Sequence, residues 1–425
     1  MLSSPGRRFG VALVALLAAS AAFACLAGAA GAASTSFNQG TRTILFNGKP
    51  TFPLVLSPGP PLGVDTPWGT NGLAETAAAG VNVYRTGTGG IWTPADISAG
   101  LAWDRAAAAL HVYTWANLGG YSQALPGSTE DEELAQVINT LTSDPSGSAI
   151  AMWKGRDEPW YSDIAPSALQ FAYCRVTSRG DPSWCDGEAP LDPSRLWVTI
   201  EAPRGTAADL APYSDVTDVH GVDIYPVTLK HPSPNLQAVG NWTATLDSIA
   251  PLQPVWTTIQ ICASGSVDHS TGAYILPTYL QERYMAYDAI LNGAKALTFY
   301  GGNNTNCFSG SDATYGWNWS FWQSVLEPLV RQLSASSPLA PALVNAAGVR
   351  QLSTGSGTQT LLREGTSVDD LWLIAARSGA GTRTVTFKGL PHWVHRGAVY
   401  TENRSVVASS GSFRDRFTQW GVHVY

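Results

Sequence analysis

Four carboxylates in this sequence are placed to carry proton-transfer chemistry, because each lies at or shortly after the end of a short apolar stretch. Asp157 and Glu158 stand side by side after one stretch, and Glu201 and Asp223 stand at the ends of two later ones. Carboxyl groups in different surroundings acquire different pKa values, so one can hold a proton while another stays charged. Hydrolysis of a glycosidic bond uses such a pair, with one acid for the leaving oxygen and a second carboxylate. We therefore predict Glu158 as a general acid, with Asp223 or Glu201 as its partner.

Side chains that bind sugars stand at the ends of other apolar stretches. Aromatic rings offer flat apolar faces, while amides, carboxylates and guanidinium groups bind hydroxyls. The sequence contains 16 Trp, although core packing alone accounts for most single tryptophans in a protein. The predicted substrate-binding residues are Arg85, Trp115, Asn117, Asp157, Trp160, Tyr225, Gln260 and Tyr300.

Each acidic candidate also has a purely structural interpretation. Glu158 could form an ion pair with Arg85 or Arg156, and Glu201 could pair with Arg204 or another arginine at the same rim. Asp223 precedes an Ile-Tyr-Pro segment and could cap a loop. The position of Glu158 after an apolar strand favours a functional role for that residue.

The elements that must position these residues alternate between short apolar segments and longer amphipathic ones, which is typical of a parallel α/β sheet. Helices are predicted at 128–141, 236–249 and 278–291, among others. Eight strands are predicted at 53–57, 82–86, 110–115, 149–153, 196–201, 219–224, 255–261 and 296–300. Eight strands in this rhythm predict a (β/α)8 TIM barrel, whose active site lies at the carboxyl ends of its strands. A doubly wound open sheet is the alternative, but the segment after the first strand is rich in proline rather than glycine.

The periodicity changes near residue 340. Short β-rich segments separated by Gly and Ser then follow, at 358–362, 371–376, 382–387, 398–400 and 422–425. This pattern predicts a small antiparallel β-sandwich after the barrel. The predicted organisation is a signal peptide at 1–33, a barrel at 34–338 and a β-sandwich at 339–425.

The first 33 residues have the order of a secretory signal peptide. Arg7 and Arg8 precede an apolar run at 11–26, and small residues lead to a cleavage site near Ala33. No later stretch is apolar and long enough to span a bilayer. The mature protein is thus predicted to be secreted or extracytoplasmic, without a membrane partner.

Cysteine usage agrees with export. After removal of the signal peptide an even number remains, namely Cys174, Cys185, Cys262 and Cys307. In an oxidising compartment this number predicts two disulfides, and pairing of nearest neighbours is favoured among the three connectivities. The Cys and His spacing matches no metal site, so no metal or other cofactor is predicted.

The net charge of the mature chain argues for some classes of binding partner and against others. The signal peptide carries two of the 25 basic residues and none of the 32 acidic ones, so the mature chain carries 23 − 32 = −9. A net negative chain argues against nucleic acid, whose phosphates attract basic surfaces. The predicted partner is a carbohydrate substrate, and the protein is predicted to be a monomer.

The layout resembles that of the clan A glycoside hydrolases, in which a Glu after strand four is the acid/base and a second Glu after strand seven is the nucleophile. The segment around Glu158 occupies the matching place after strand four. Other segments similar to those of such barrels and of related bacterial proteins are 46–50, 223–226, 282–295 and 422–425. The resemblance covers most of the chain after residue 33, and it implies a barrel with a C-terminal β-sandwich.

Two positions depart from that family pattern. Asp157 stands where the family has Asn, and its negative charge would raise the pKa of the neighbouring Glu158. Gln260 stands where the nucleophilic Glu is expected, and an amide does not ionise and is a poor nucleophile. Gln260 is therefore predicted to contact substrate.

Three functional hypotheses follow. The first is a secreted glycoside hydrolase acting on an extracellular oligo- or polysaccharide, with Glu158 as general acid. The second is a carbohydrate-binding barrel without catalysis, which lost its nucleophile at Gln260. The third is a retaining enzyme or transglycosylase whose nucleophile comes from another strand. The sequence leaves the sugar, the linkage and the stereochemical course open.

Overall fold

A computed structural model describes residues 34–231, 234–345, 350–355 and 357–425. The predicted signal peptide at 1–33 lies outside these residues. Within the described ranges, no helix combines the length and the apolar character needed to cross a membrane.

Eight parallel strands form a closed barrel, which confirms the predicted fold class. Each strand pairs with the next along the chain, and the eighth pairs with the first. Most of their residues are buried on both faces, as parallel strands covered by helices require. The strands are β1 Leu54–Ser57, β2 Val83–Thr86, β3 Tyr113–Asn117, β4 Ile150–Asp157, β5 Leu196–Glu201, β6 Val219–Ile224, β7 Val255–Gln260 and β8 Ala294–Tyr300.

Helices follow the strands, and polar residues set where the longer ones begin. The hydroxyl of Ser128 accepts from the Asp131 backbone N–H at the start of one helix, and Thr278 and Gln281 form a capping box at another. The helices are α1 Gly72–Ala79, α2 Pro94–Ala109, α3 Thr129–Ser143, α4 Gln170–Thr177, α5 Ala207–Leu210, α6 Ala238–Ile249, α7 Tyr279–Leu291, α8 Asp312–Tyr315, α9 Trp319–Phe321, α10 Glu327–Leu333 and α11 Ala340–Val344.

A small antiparallel sheet closes the amino-terminal end of the barrel. Its strands are Thr35–Phe37, Ile44–Phe46 and Lys49–Pro50, with an Asn-Gly turn between the last two. Phe46 belongs to the same buried cluster as Trp115 and Trp256, whose rings lie 4.9 Å apart inside the barrel. Because this end is filled by side chains, the open end lies at the carboxyl ends of the strands.

Among the described residues after the barrel, seven strands pair in an antiparallel manner as predicted, in three small sheets. Phe387, Phe413 and Phe417 form the centre of their core. The strands are β9 Thr358–Glu364, β10 Leu371–Arg377, β11 Arg383–Lys388, β12 Arg396–Val399, β13 Arg404–Val407, β14 Ser412–Phe417 and β15 Gly421–Val424. The sheets are β9-β10-β15, β11-β14 and β12-β13.

This β-domain packs on helix α7 of the barrel. The buried guanidinium of Arg283 donates to the Val422 carbonyl, and the rings of Tyr284 and Trp420 meet edge to face at 4.8 Å. The apolar core is continuous across this contact, so the domain boundary predicted after residue 338 stays a prediction.

Two disulfides join the four cysteines in the favoured nearest-neighbour pairing. Cys174–Cys185 ties α4 to the loop that follows it, and Cys262–Cys307 joins the loops after β7 and β8. The second disulfide therefore lies at the open end of the barrel.

Candidate active site

A cavity of about 430 Å³ opens at the carboxyl ends of the barrel strands. Such a position is where barrels of this kind hold their ligands. Eight of the predicted site residues line it: Arg85, Trp115, Asn117, Asp157, Glu158, Asp223, Tyr225 and Tyr300. Residues that the sequence reasoning did not select also line it, among them Ser57, Lys154, Thr258, Ser264 and Thr298.

A β-bulge turns the end of β4 towards this cavity. Lys154 pairs with Val198 and Asp157 with Ile200, so β4 contains one residue more than β5 over this span. An extra residue reverses which side of the strand the following side chains face. The bulge thus allows Lys154 and Asp157 both to line the cavity.

Glu158 follows the bulge in a left-handed conformation, with φ of 47°. Its backbone N–H donates to the Ile200 carbonyl at 2.7 Å, which fixes the turn against β5. For a residue with a side chain this conformation costs about 1 kcal/mol, and such strain concentrates at functional sites. The turn places the Glu158 carboxylate in the cavity, half-buried.

Glu158 and Asp223, here called the acid pair, both line the cavity and interact electrostatically. Neighbouring carboxyl groups oppose each other's ionisation, so this arrangement favours a bound proton. Burial and the charge of Glu158 raise the pKa of Asp223 from 3.8 to about 8. Burial and the charge of Asp157 raise the pKa of Glu158. The cavity therefore contains a carboxylic acid that is still protonated near neutral pH.

A buried lysine stands beside the acid pair. The Nζ atom of Lys154 lies 2.5 Å from Oδ1 of Asp157, whose side chain is largely exposed. Burial lowers the pKa of Lys154, and the charge of Asp157 partly restores it. The positive charge of Lys154 lowers the pKa of both members of the acid pair, which opposes the effect of Asp157.

Aromatic rings form the floor and one side of the cavity. Trp115 lies at the floor, with Lys154 Nζ 5.9 Å from its ring centre. Tyr225 and Tyr300 stack at 5.4 Å with an interplanar angle of 21°. Burial raises the pKa of both phenols, so they act as neutral hydrogen-bonding groups. Such surfaces are suited to the apolar faces of a sugar ring.

The wall formed by β8, β1 and β2 carries cationic and hydroxyl groups. Arg85 donates from Nε to the Ser57 hydroxyl at 2.6 Å, and Thr298 and Tyr300 stand beside them. Arg85 thus forms a hydrogen bond with Ser57. Among the residues that the structure describes, no ion pair joins Glu158 to an arginine. The structural interpretation of Glu158 as an arginine partner receives no support.

Glu201 lies outside the cavity lining. Its neighbour Ile200 faces the cavity, so Glu201 points to the other side of β5, where it is fully buried. One carboxylate oxygen accepts from the Trp160 backbone N–H at 3.4 Å, and the other lies 3.9 Å from His220 Nε2. The alternative ion pair with Arg204 does not form either. Neither Glu201 nor Trp160 lines this cavity.

Gln260 also lies outside the lining, and both polar atoms of its amide form hydrogen bonds within the protein. Its Oε1 accepts from the Val227 N–H at 2.8 Å, and its Nε2 donates to the Val227 carbonyl and to Ser266 at 2.7 and 2.9 Å. The side chain is fully buried. Gln260 thus anchors the loop that follows β6, and the predicted substrate contact is not available to it in this structure.

Lys154 is the main residue that sequence reasoning missed. Lys154 directly follows the predicted strand at 149–153, and a lysine is rarely buried without a partner. Among the described residues, no group of three or more His, Cys, Asp or Glu side chains is placed to hold a metal ion.

Comparison with known proteins gives matches in structure but not in sequence. No family sequence profile matches the chain, and no curated protein sequence matches it. The structure is similar to one described as a glycoside hydrolase, with a TM-score of 0.55 and 13% identity over 92% of this chain and 96% of the other. It is similar to a glycoside hydrolase of family 5 from Bacteroides vulgatus, with a TM-score of 0.56 and 13% identity over 92% of each chain.

It is also similar to an α-amylase from Geobacillus thermoleovorans solved with acarbose, with a TM-score of 0.51 and 10% identity over 88% of this chain and 97% of the other. At these identities the likeness shows the fold. It confirms the resemblance of the whole architecture to barrels of glycoside hydrolases.

Proposed function

We propose that this protein is a secreted glycoside hydrolase that cleaves an extracellular oligo- or polysaccharide. The acid pair carries this proposal, because it offers a protonated carboxyl group inside a cavity lined by aromatic and hydroxyl groups. Carboxyl groups whose pKa is strongly raised and that lie in a cleft are found most often at active sites. Neighbouring structures with the same architecture are glycoside hydrolases.

In the proposed reaction, Glu158 hands the proton to the leaving glycosidic oxygen. Glu158 is the half-buried member of the acid pair and reaches the open cavity, whereas Asp223 is only 9% exposed. Asp223 is the more deeply buried member and, with its pKa raised to about 8, holds a proton at neutral pH. Contact with the exposed ring of Tyr300 and hydrogen bonds from Tyr225 and Tyr300 would orient the sugar.

Export and a monomeric state belong to the same proposal. The disulfides support an oxidising compartment, in which an enzyme of this type meets extracellular polysaccharide. Cleavage near Ala33 would release a chain that begins within the described residues. N-terminal sequencing and sedimentation of the exported protein test these two statements.

The binding-only barrel remains the second candidate, because Gln260 is not a carboxylate and is occupied by Val227. The two candidates differ in one experiment, which follows reducing ends released from a broad polysaccharide panel. The hydrolase predicts product from the wild type and a loss of about 10²–10⁴-fold in kcat for Glu158→Gln. Binding of the same oligosaccharide, measured by calorimetry, should survive in that variant.

The matched control is Asp369→Asn, which changes an exposed carboxylate in the β-domain. This variant should keep both turnover and binding. A wild type that binds oligosaccharides from the panel but releases no product from any of them would contradict the hydrolase and favour the binding barrel.

A further inference from the structure

One side of the paired strands β11 and β14 in the β-domain carries three cations and no carboxylate. Side chains alternate along a strand, so six of the side chains on these two strands lie on the same side. None of the six is buried, and all three cations are exposed. We call this surface the cationic face. Its members lie directly opposite each other in three pairs, Thr384 with Arg416, Thr386 with Arg414, and Lys388 with Ser412.

The other side of the two strands faces the core and contains their one carboxylate. Asp415 lies opposite the buried Val385, and it accepts from Arg404 at 3.0 and 2.8 Å and from Tyr425 at 2.7 Å. The acidic group of β14 is therefore turned away from the cationic face and already has a cationic partner.

The three cations of the cationic face are not neutralised by the protein. Among the described residues, no ion pair involves Lys388, Arg414 or Arg416. Side chains two residues apart on a strand are about 7 Å apart, and diagonal neighbours across a pair are about 7–8 Å apart. At physiological salt the screening length is about 8 Å, so these charges repel one another and attract an anion together.

The excess of positive charge is local to this part of the chain. Residues 358–425 contain eight Lys and Arg and five Asp and Glu, which gives 8 − 5 = +3, although the mature chain as a whole is negative. Such a difference between two parts of a chain indicates a surface that meets a partner of opposite charge.

We propose that the cationic face binds an acidic polysaccharide, one whose sugars carry carboxylate groups. The planar guanidinium groups of Arg414 and Arg416 match carboxylates, and the hydroxyls of Thr384 and Thr386 between the cations can bond to sugar hydroxyls. The inference goes beyond the catalytic cavity, and it rests on the proposed function for the choice of a polysaccharide as the occupant. Binding at this face would keep the barrel at high local concentration along the polymer.

Two other polyanions fit this surface less well. A membrane surface is bound by cations together with apolar side chains that enter the lipid, and the cationic face has no aromatic or aliphatic member. Nucleic acid is bound by domains with a strong overall excess of basic residues, whereas the mature chain has fewer basic than acidic residues.

Native gel electrophoresis measures the binding, because a polymer held in the gel slows a protein that binds it. The probe is polygalacturonate, and its fully methyl-esterified form is the matched polymer without charge. We expect polygalacturonate to slow the wild type and the ester to have little effect. Binding should weaken by about tenfold between about 50 and 200 mM salt, because three cations release counterions from the polymer.

The variant Lys388→Gln/Arg414→Gln/Arg416→Gln removes the three charges from an exposed surface, so it should fold as the wild type does. Its Kd for polygalacturonate should rise by at least about tenfold. The control Lys49→Gln/Arg105→Gln/Arg331→Gln removes as many exposed charges from outside the β-domain and should bind as the wild type does. Both variants should release product from soluble oligosaccharides of the panel at the wild-type rate.

The outcomes separate this inference from the proposed function. Equal binding by the two triple variants, or equal slowing by the charged and the esterified polymer, would overturn the cationic face and leave the hydrolase untouched. Tighter binding to phosphatidylglycerol vesicles or to double-stranded DNA than to polygalacturonate would overturn the polysaccharide as its occupant. Loss of polygalacturonate binding only in the cationic-face variant would support the inference, even if no member of the panel were cleaved.

Discussion

Replacing Asp223 by Asn should give a protein that is more stable than the wild type and inactive. The native environment raises the pKa of this carboxyl from 3.8 to about 8, chiefly through burial and the charge of Glu158. A raised pKa means that the folded state binds the proton more tightly than the unfolded state. The fold therefore loses stability as the pH rises above about 4, where the unfolded Asp ionises freely.

The size of the effect follows from the two pKa values. Between about pH 4 and pH 7 there are about three pH units, each worth about 1.36 kcal/mol, so the cost at neutral pH is up to about 4 kcal/mol. Asn has nearly the same shape and no charge to bury. Asp223→Asn should thus raise the free energy of unfolding by up to about 4 kcal/mol at pH 7 and by almost nothing below pH 4.

Denaturant unfolding at several pH values between 4 and 8 measures this difference, with turnover followed on the same samples. Asp369→Asn is the control and should change neither quantity, because its carboxylate is exposed. A variant less stable than the wild type at pH 7, or a stability difference that stays constant from pH 4 to pH 8, would refute the account of Asp223 as a buried acid.

Four other substitutions probe the surroundings of the site and the core. Asp157→Asn should move the alkaline limb of the kcat/KM profile to lower pH, and Lys154→Met should move it to higher pH. The reason is that these two charges shift the pKa of the acid pair in opposite directions. A shift of the limb in the same direction in both variants would contradict this. Gln260→Glu should lower the free energy of unfolding by about 1–3 kcal/mol, because a carboxylate cannot donate to the Val227 carbonyl. The variant should also show no new activity. Calorimetry measures the stability and turnover assays measure the activity. Glu282→Met should raise the free energy of unfolding by about 1–3 kcal/mol at pH 7 and by less at pH 4. Burial raises the pKa of the Glu282 carboxyl, which has no hydrogen-bond partner among the described residues. Denaturant unfolding that gives the variant and the wild type the same stability at both pH values would argue against this.

The barrel was predictable from sequence because eight apolar strands alternate with helices, and strand ends in such a fold share one rim. The side of β5 on which the Glu201 side chain lies was not predictable, because β5 is buried on both sides and its six residues show no polar alternation. The placement of Asp157 and Glu158 at the cavity depends on one extra residue in β4, and a bulge leaves no clear mark on hydrophobic periodicity. Gln260 was misplaced for another reason, since its partner Val227 lies in a loop whose path only tertiary packing decides.

The contact between the β-domain and helix α7 limits how far the two parts can be treated as separate modules. Arg283 is buried and donates both to Gln332 in α10 and to the Val422 carbonyl in β15. Undocking the β-domain would break the hydrogen bond to Val422 and expose the apolar core that is continuous across the contact. Barrel and β-domain should therefore melt together, and a chimera that transplants this β-domain onto another barrel would also need the face of α7 that carries Arg283 and Tyr284.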